Sequence, residues 1–238
     1  MKEVVPGVFE VPIRVAGLPY VNAFVIAEDA VTVVDTGLPK RAPYLLRLLG
    51  SLGRRPQELR DVLVTHHHVD HTGSLAALLR ETGARVHVHP QDAPIVRGER
   101  PAPPATRPNI LTRLLEPVAA RRGLTELEPA RETADMADGD ELPVLGGLRV
   151  VHTPGHTPGH VSFLSPSRRL LFAGDAAGSL LGRVGLPLGA YTEDMAWARR
   201  SIAALAELDF DVACFGHGPS IRGAANARFR SLVEKLAR

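Results

Sequence analysis

Thr65-His66-His67-His68-Val69-Asp70-His71-Thr72-Gly73 is the stretch on which the reading of this 238-residue chain turns. It follows directly on Val62–Val64, a short apolar run that reads as a buried strand. Four imidazoles and a carboxylate fall within six residues. In extended backbone, side chains two residues apart point the same way. His66 and His68 can therefore converge on one metal ion, while His67 points elsewhere. Asp70 and His71 come where the chain turns toward a helix, so they can face a second ion beside the first. Three adjacent histidines alone say little, but His-x-His-x-Asp-His is a much more specific spacing.

Further polar residues stand just after apolar runs and beside glycines. His156 lies in Thr153-Pro154-Gly155-His156-Thr157-Pro158-Gly159-His160, after the run that ends at His152. Asp175 follows Leu170–Ala173 across Gly174, and His217 follows Val212–Phe215 between two glycines. Glycine admits close backbone approach and unusual dihedrals. A ligand set of His nitrogens and Asp oxygens suits zinc, with iron or manganese as alternatives. The remaining histidines have blander readings: His67, His87, His89 and His152 as surface or satisfied core residues. His160, close to the cluster in sequence, reads as a contact behind the ligands or with substrate. Cys214 reads as a small core residue, and Tyr191 and Trp197 as packing residues.

The surrounding pattern is α/β. Val8–Val11, Val21–Ala27 and Val31–Val34 are β-rich, the last two forming a hairpin across Glu28-Asp29. Ala42–Leu52 carries a helical stripe of leucines closed by Gly53, and Leu75–Leu79 opens a second amphipathic helix before the strand Arg85–Val88. Strands return at Leu148–His152, Val161–Leu164, Leu170–Ala173 and Val212–Phe215, with helices over about Glu193–Ala206 and Ala224–Leu236. Between them, about 90–135 is a Pro/Arg-rich excursion, helical over Ile110–Ala120, that reads as a solvated connection or as a lid.

Composition excludes several classes. With 45% hydrophobic residues the chain can bury a core, which excludes a disordered protein. One cysteine excludes an internal disulfide framework. A net charge of +2, from scattered arginines, does not point to nucleic acid. No apolar run approaches the roughly 20 residues of a membrane helix, and no signal-peptide pattern opens the chain. A cytoplasmic protein acting on a small molecule, with neither nucleic acid nor membrane as partner, is the expectation; oligomeric state is not readable.

From Asp35 to His217 the motifs resemble those of the metallo-β-lactamase superfamily. The resemblance implies a single domain, 1–238, folded as a four-layer αββα sandwich with its metals in a groove at one edge of the packed sheets. It implies two zinc ions: His66, His68 and His156 on the first, Asp70, His71 and His217 on the second, and Asp175 between them. Asp35, in Val34-Asp35-Thr36-Gly37, would support the ligands from behind. A hydroxide bridging the metals and oriented by Asp70 would then attack a carbonyl. Aspartate at 175, where drug-hydrolysing relatives commonly place cysteine, disfavours antibiotics and resembles the glyoxalase II-like branch of ester and thioester hydrolases. Lactonases are the alternative, although Ala176-Ala177-Gly178-Ser179 lacks their tyrosine after the bridging aspartate. An alternative of another class is a persulfide dioxygenase holding one iron at His, His and Asp.

Overall fold

A computed structural model describes residues 1–15, 17–106, 117 and 120–238. Two sheets lie face to face. The first has seven strands in sequence order: β1 (Lys2–Val5), β2 (Val8–Val15), β3 (Leu18–Ala27), β4 (Val31–Val34), β5 (Leu59–Leu63), β6 (Arg85–Val88) and β7 (Ala134–Asp135). Strands β1 to β4 pair antiparallel, whereas β4 to β7 pair parallel. The second sheet joins β8 (Glu141–Leu142), β9 (Leu148–His152), β10 (Val161–Ser165), β11 (Leu170–Phe172), β14 (Val212–Cys214) and β15 (Ile221–Arg222). A separate small hairpin, β12 (Gly178–Leu180) with β13 (Arg183–Gly185), lies between β11 and β14 in sequence.

The strand sequences explain the layering. Several strands are apolar at successive positions, as strands covered on both faces must be. Phe24 and Ile26 join Val34, Leu63, Val150, Phe163 and Phe172 in a core between the sheets. Their neighbours Val25, Val33 and Val62 face the other way, onto Leu45 and Leu49 of α1 (Ala42–Ser51) and Leu75 and Leu78 of α3 (Leu75–Thr82). On the far side, Leu171 and Ala213 pack on Ile202 and Leu205 of α5 (Met195–Ala206) and Phe229 of α6 (Ala225–Leu236). These are the four layers of an αββα sandwich. The Asp194 side chain caps α5 by accepting from Trp197 N at 2.8 Å.

The expected elements recur with small shifts. The strand expected at Val62–Val64 runs Leu59–Leu63, and the α5 helix begins at Met195 rather than Glu193. Unforeseen are β1, the small hairpin, and short elements inside the excursion: α4 (Ala93–Val96) and β7, which closes the edge of the first sheet. The helix expected over Ile110–Ala120 lies almost wholly outside the described residues. Tyr191 and Trp197, expected as packing residues, are 40% and 41% exposed.

One buried carboxylate stitches distant segments together. Asp92, just ahead of α4, accepts from His67 N (2.9 Å), Thr157 Oγ1 (2.8 Å) and Gly159 N (2.8 Å). Burial pushes its pKa up, but these bonds and the adjacent His67 ring outweigh burial and hold it at about 2. A pKa below the ordinary 3.8 means the stabilisation is present above that value and is lost as pH falls toward 2.

Two outcomes follow for stability. Phe163→Ala, in the inter-sheet core, costs about 3–5 kcal/mol in urea unfolding. Between pH 4.5 and 2.5, ion-free wild type loses roughly 1–2 kcal/mol more than Asp92→Asn; equal losses in the two proteins would refute the linkage.

Candidate metal centre

The polar residues singled out in the sequence gather at the carboxyl ends of the strands, where open α/β sheets form their crevices. Asp35 follows β4, the 66–71 cluster follows β5, His156 follows β9, Asp175 follows β11, and His217 follows β14. His68 and Asp70 flank the start of the one-turn helix α2 (Val69–Thr72).

Three groups of ligand atoms come close enough to hold an ion: His66, His68 and His156; His66, His71 and Asp175; and Asp70, His71 and His217. In the first, His66 Nε2 and His156 Nε2 lie 3.1 and 3.0 Å from His68 Nδ1. Asp175 touches the other members of the cluster. Its Oδ2 is 3.4 Å from His156 Nε2 and 3.3 Å from His217 Nε2, and its Oδ1 is 3.5 Å from His71 Nε2. Asp70 Oδ2 lies 3.3 Å from His217 Nε2. Buried His71 Nε2 and Asp175 Oδ1 have no hydrogen-bond partner among the described residues. A buried imidazole nitrogen and a buried carboxylate oxygen facing one another in this way are atoms that a cation would satisfy. The donor set therefore fits metal ions.

Hydrogen bonds behind the ligands fix their tautomers. Thr65 Oγ1 donates to Asp35 Oδ2 (2.7 Å), so it accepts from His66 Nδ1–H at 3.0 Å. Thr192 Oγ1 donates to Leu188 O (2.9 Å) and accepts from His156 Nδ1–H at 3.1 Å. His71 Nδ1–H donates to Asp35 Oδ2 at 2.8 Å, and His217 Nδ1–H to Tyr20 O at 2.6 Å. Each arrangement leaves Nε2 facing the cluster. His160 is fully buried and holds the backbone of a neighbour: its Nε2 accepts from Asp175 N at 2.9 Å, and its Nδ1 pairs with Thr153 Oγ1 at 2.8 Å. Buried away from solvent, it supports Asp175 from behind.

The electrostatics divide the cluster. Burial, reinforced by neighbouring histidines, lowers the pKa of His66 and His68 well below the usual imidazole value. Burial also brings His156 and His160 down to about 4. Their lone pairs stay available at neutral pH. Burial pulls His71 and His217 the same way, but Asp175 and the other carboxylates outweigh it and raise both, His71 to about 9. Asp70 and Asp175 are held below the carboxylate range: burial works against this, but His71 and His217 prevail. The second triad and Asp175 thus form a site built around positive charge.

Close backbone packing makes room for the cluster. A Cβ on Gly216 would stand 2.1 Å from Asp175 Oδ1 and 2.6 Å from His71 Cε1. Gly155, at φ +130°, lies against the Ala198 backbone, where a Cβ would meet N at 2.1 Å.

Several neighbours of the site carry no sequence signal. Asp92 is one. Asn22 is another: its Nδ2 donates to Phe215 O (3.0 Å) and Gly218 O (2.7 Å), gripping the turn that bears His217. Tyr20 lays its ring edge-on to His217 with centroids 5.5 Å apart, and Tyr191 does the same toward His68 at 6.4 Å. The first part of the excursion, with Arg100 and Pro101–Pro104, lines a cavity of about 400 Å³ beside Asp92, Pro158 and Glu193. His67 is fully buried against Asp92, whereas His89 and His152 are partly exposed and stack on each other at 4.3 Å. Cys214 is buried, which pushes its thiol up to about 12. No helix among the described residues is long and apolar enough to cross a membrane.

Known proteins share this arrangement of chain. The probable metallo-hydrolase YflN of Bacillus subtilis (strain 168) is 26% identical over 99% of this chain and 91% of its own length. A hydroxyacylglutathione hydrolase of Rhodopseudomonas palustris (strain BisB5) is 32% identical over 81% of this chain, which spans 60% of that protein. Among solved structures, a metallo-beta-lactamase family protein of Thermus thermophilus superposes with a TM-score of 0.73 at 27% identity, covering 99% of this chain and 81% of that one. TTHA1623, solved in a di-iron-bound form, gives 0.67 at 27% identity over 92% of this chain and 98% of its own. The model of the metallo-beta-lactamase superfamily matches residues 16–217, and with the αββα layers and the His/Asp metal-binding groups in place, the chain belongs to that superfamily.

Proposed function

We propose that this protein is a dinuclear metal-dependent hydrolase of esters or thioesters, of the glyoxalase II-like kind. His66, His68 and His156 would hold one ion, Asp70, His71 and His217 the other, and Asp175 would lie between them. The observation that carries this reading is the position of Asp175 Oδ2, 3.4 Å from His156 Nε2 of one triad and 3.3 Å from His217 Nε2 of the other. Two ions held by these residues would supply hydroxide at neutral pH and polarise a carbonyl.

The chain's own groups divide the remaining work. Asp70 is partly exposed, while Asp35 is buried behind His71, so Asp70 is the carboxylate able to orient a nucleophile. Asp35, Thr65, Thr192 and the Tyr20 carbonyl hold the imidazoles in the tautomers just described. Tyr20 and Tyr191, 46% and 40% exposed, lay their rings edge-on to His217 and His68. Aromatic edges beside the cluster suit an uncharged acyl group. The similarity to hydroxyacylglutathione hydrolases supports a thioester, and a small-molecule substrate handled in the cytoplasm accords with this reading. Zinc is the first choice of metal. Iron is the second reading, favoured by the di-iron-bound form of TTHA1623.

Metal analysis combined with a panel of thioesters, esters, lactones, β-lactams and phosphodiesters tests the proposal. Dialysis against a chelator should abolish thioester hydrolysis and added zinc should restore it; full activity in metal-free protein overturns the reading. Oxygen uptake with a glutathione persulfide, in iron-containing protein, would move the assignment to oxidation. Gly216→Ala should keep the circular dichroism of wild type yet hold about one ion fewer per chain, because its Cβ occupies the space of Asp175. Unchanged metal content in that variant would count against Asp175 as a ligand.

A further inference from the structure

Asp92 is no ligand, and it sits on a different strand connection from every group in the cluster. Its carboxylate is fully buried and accepts from three donors. His67 N, between the ligands His66 and His68, donates to Oδ2 at 2.9 Å, and His67 Nδ1 lies 3.0 Å from the same oxygen. Thr157 Oγ1, one residue past His156, also donates to Oδ2, at 2.8 Å. Gly159 N, one residue before His160, donates to Oδ1 at 2.8 Å. A Cβ on Gly159 would stand 2.5 Å from that oxygen, so glycine is what lets the turn come this close.

The two segments held in this way bring His66 and His68 to one side and His156 to the other. Among the described residues their direct backbone link is one bond, Val161 N to Thr65 O at 2.9 Å, placed away from His68 and His156. We propose that Asp92 is the positioning residue of the first metal site, setting the distance of His156 from the His66–His68 pair through a single carboxylate that grips both segments. The proposal rests on the metal-site reading above.

An amide cannot do the same work. Both oxygens of Asp92 accept from N–H or O–H groups, and asparagine must turn a donor toward one of them. Asp92→Asn therefore breaks the clamp without changing its volume. Thr157→Val removes one bond and leaves the carboxylate intact. Phe229→Leu, in the remote core under α6, is the control for general destabilisation.

The experiment is a cobalt(II) titration of each ion-free protein, followed by visible absorption, with thermal unfolding measured alongside. Asp92→Asn is expected to weaken cobalt binding at the first site about 10- to 100-fold and to change its absorption bands. Thr157→Val should show a smaller loss in the same direction, and Phe229→Leu wild-type binding despite a lowered Tm. Wild-type affinity and bands in folded Asp92→Asn overturn the proposal. If that variant does not fold, wild-type binding in Thr157→Val overturns it instead. His156→Ala separates the clamp from the site it serves: cobalt binding equal to wild type there overturns the metal site itself, and the role of Asp92 with it.

Discussion

The carboxylate of Asp35 is the interaction on which the rest of the centre depends. It accepts from Thr65 N (2.8 Å), Thr65 Oγ1 (2.7 Å) and His71 Nδ1 (2.8 Å), and so joins the ends of β4 and β5 to α2. Through the Thr65 hydroxyl its influence reaches His66 as well. One buried charge thereby sets the tautomer of a histidine in each triad. The backbone at Asp35 has φ 57°, in the left-handed region. For a non-glycine residue that conformation costs on the order of 1–3 kcal/mol, and here the surrounding hydrogen bonds hold it.

The layers around this anchor serve mainly to bring strand ends to one edge. Parallel pairing of β4, β5 and β6 aligns three carboxyl ends in the first sheet, and parallel pairing of β11 with β14 aligns two in the second. Apolar faces on both sides of each sheet exclude water from the region behind the cluster. In that dry surrounding, hydroxyls and carbonyls replace water as partners for the outer nitrogens of the imidazoles. The outer nitrogens therefore have their partners in place before any ion arrives.

Much of this was legible in the residues. His66, His68, Asp70 and His71 announce themselves by spacing, and His156, Asp175 and His217 by their places after apolar runs and beside glycines. The alternation of strands with helices, and the leucine stripe of α1, pointed to an α/β fold, and the resemblance to the superfamily implied the four layers. Asp92 stayed hidden because its partners lie 25, 65 and 67 residues away. In Pro90-Gln91-Asp92-Ala93 it looks like any residue opening a helix. The hairpin β12–β13 was missed because Leu181-Gly182 is not a familiar turn pair: Leu181 takes φ 49° where asparagine or aspartate is usual. Tyr191 and Trp197 carry no periodic signal that tells a buried aromatic from a half-exposed one, and the tertiary arrangement leaves them 40% and 41% exposed.

The turn that carries His217 is held by the opposite end of the chain. Tyr20 O and the Asn22 side chain secure it across 193 to 197 residues of sequence, and Ser220 N reaches Glu10 across 210. Contacts of such span are the slowest to form. The second triad is thus complete only where the segment after β14 meets β2 and β3, so its geometry rests on a contact that no local interaction can set up.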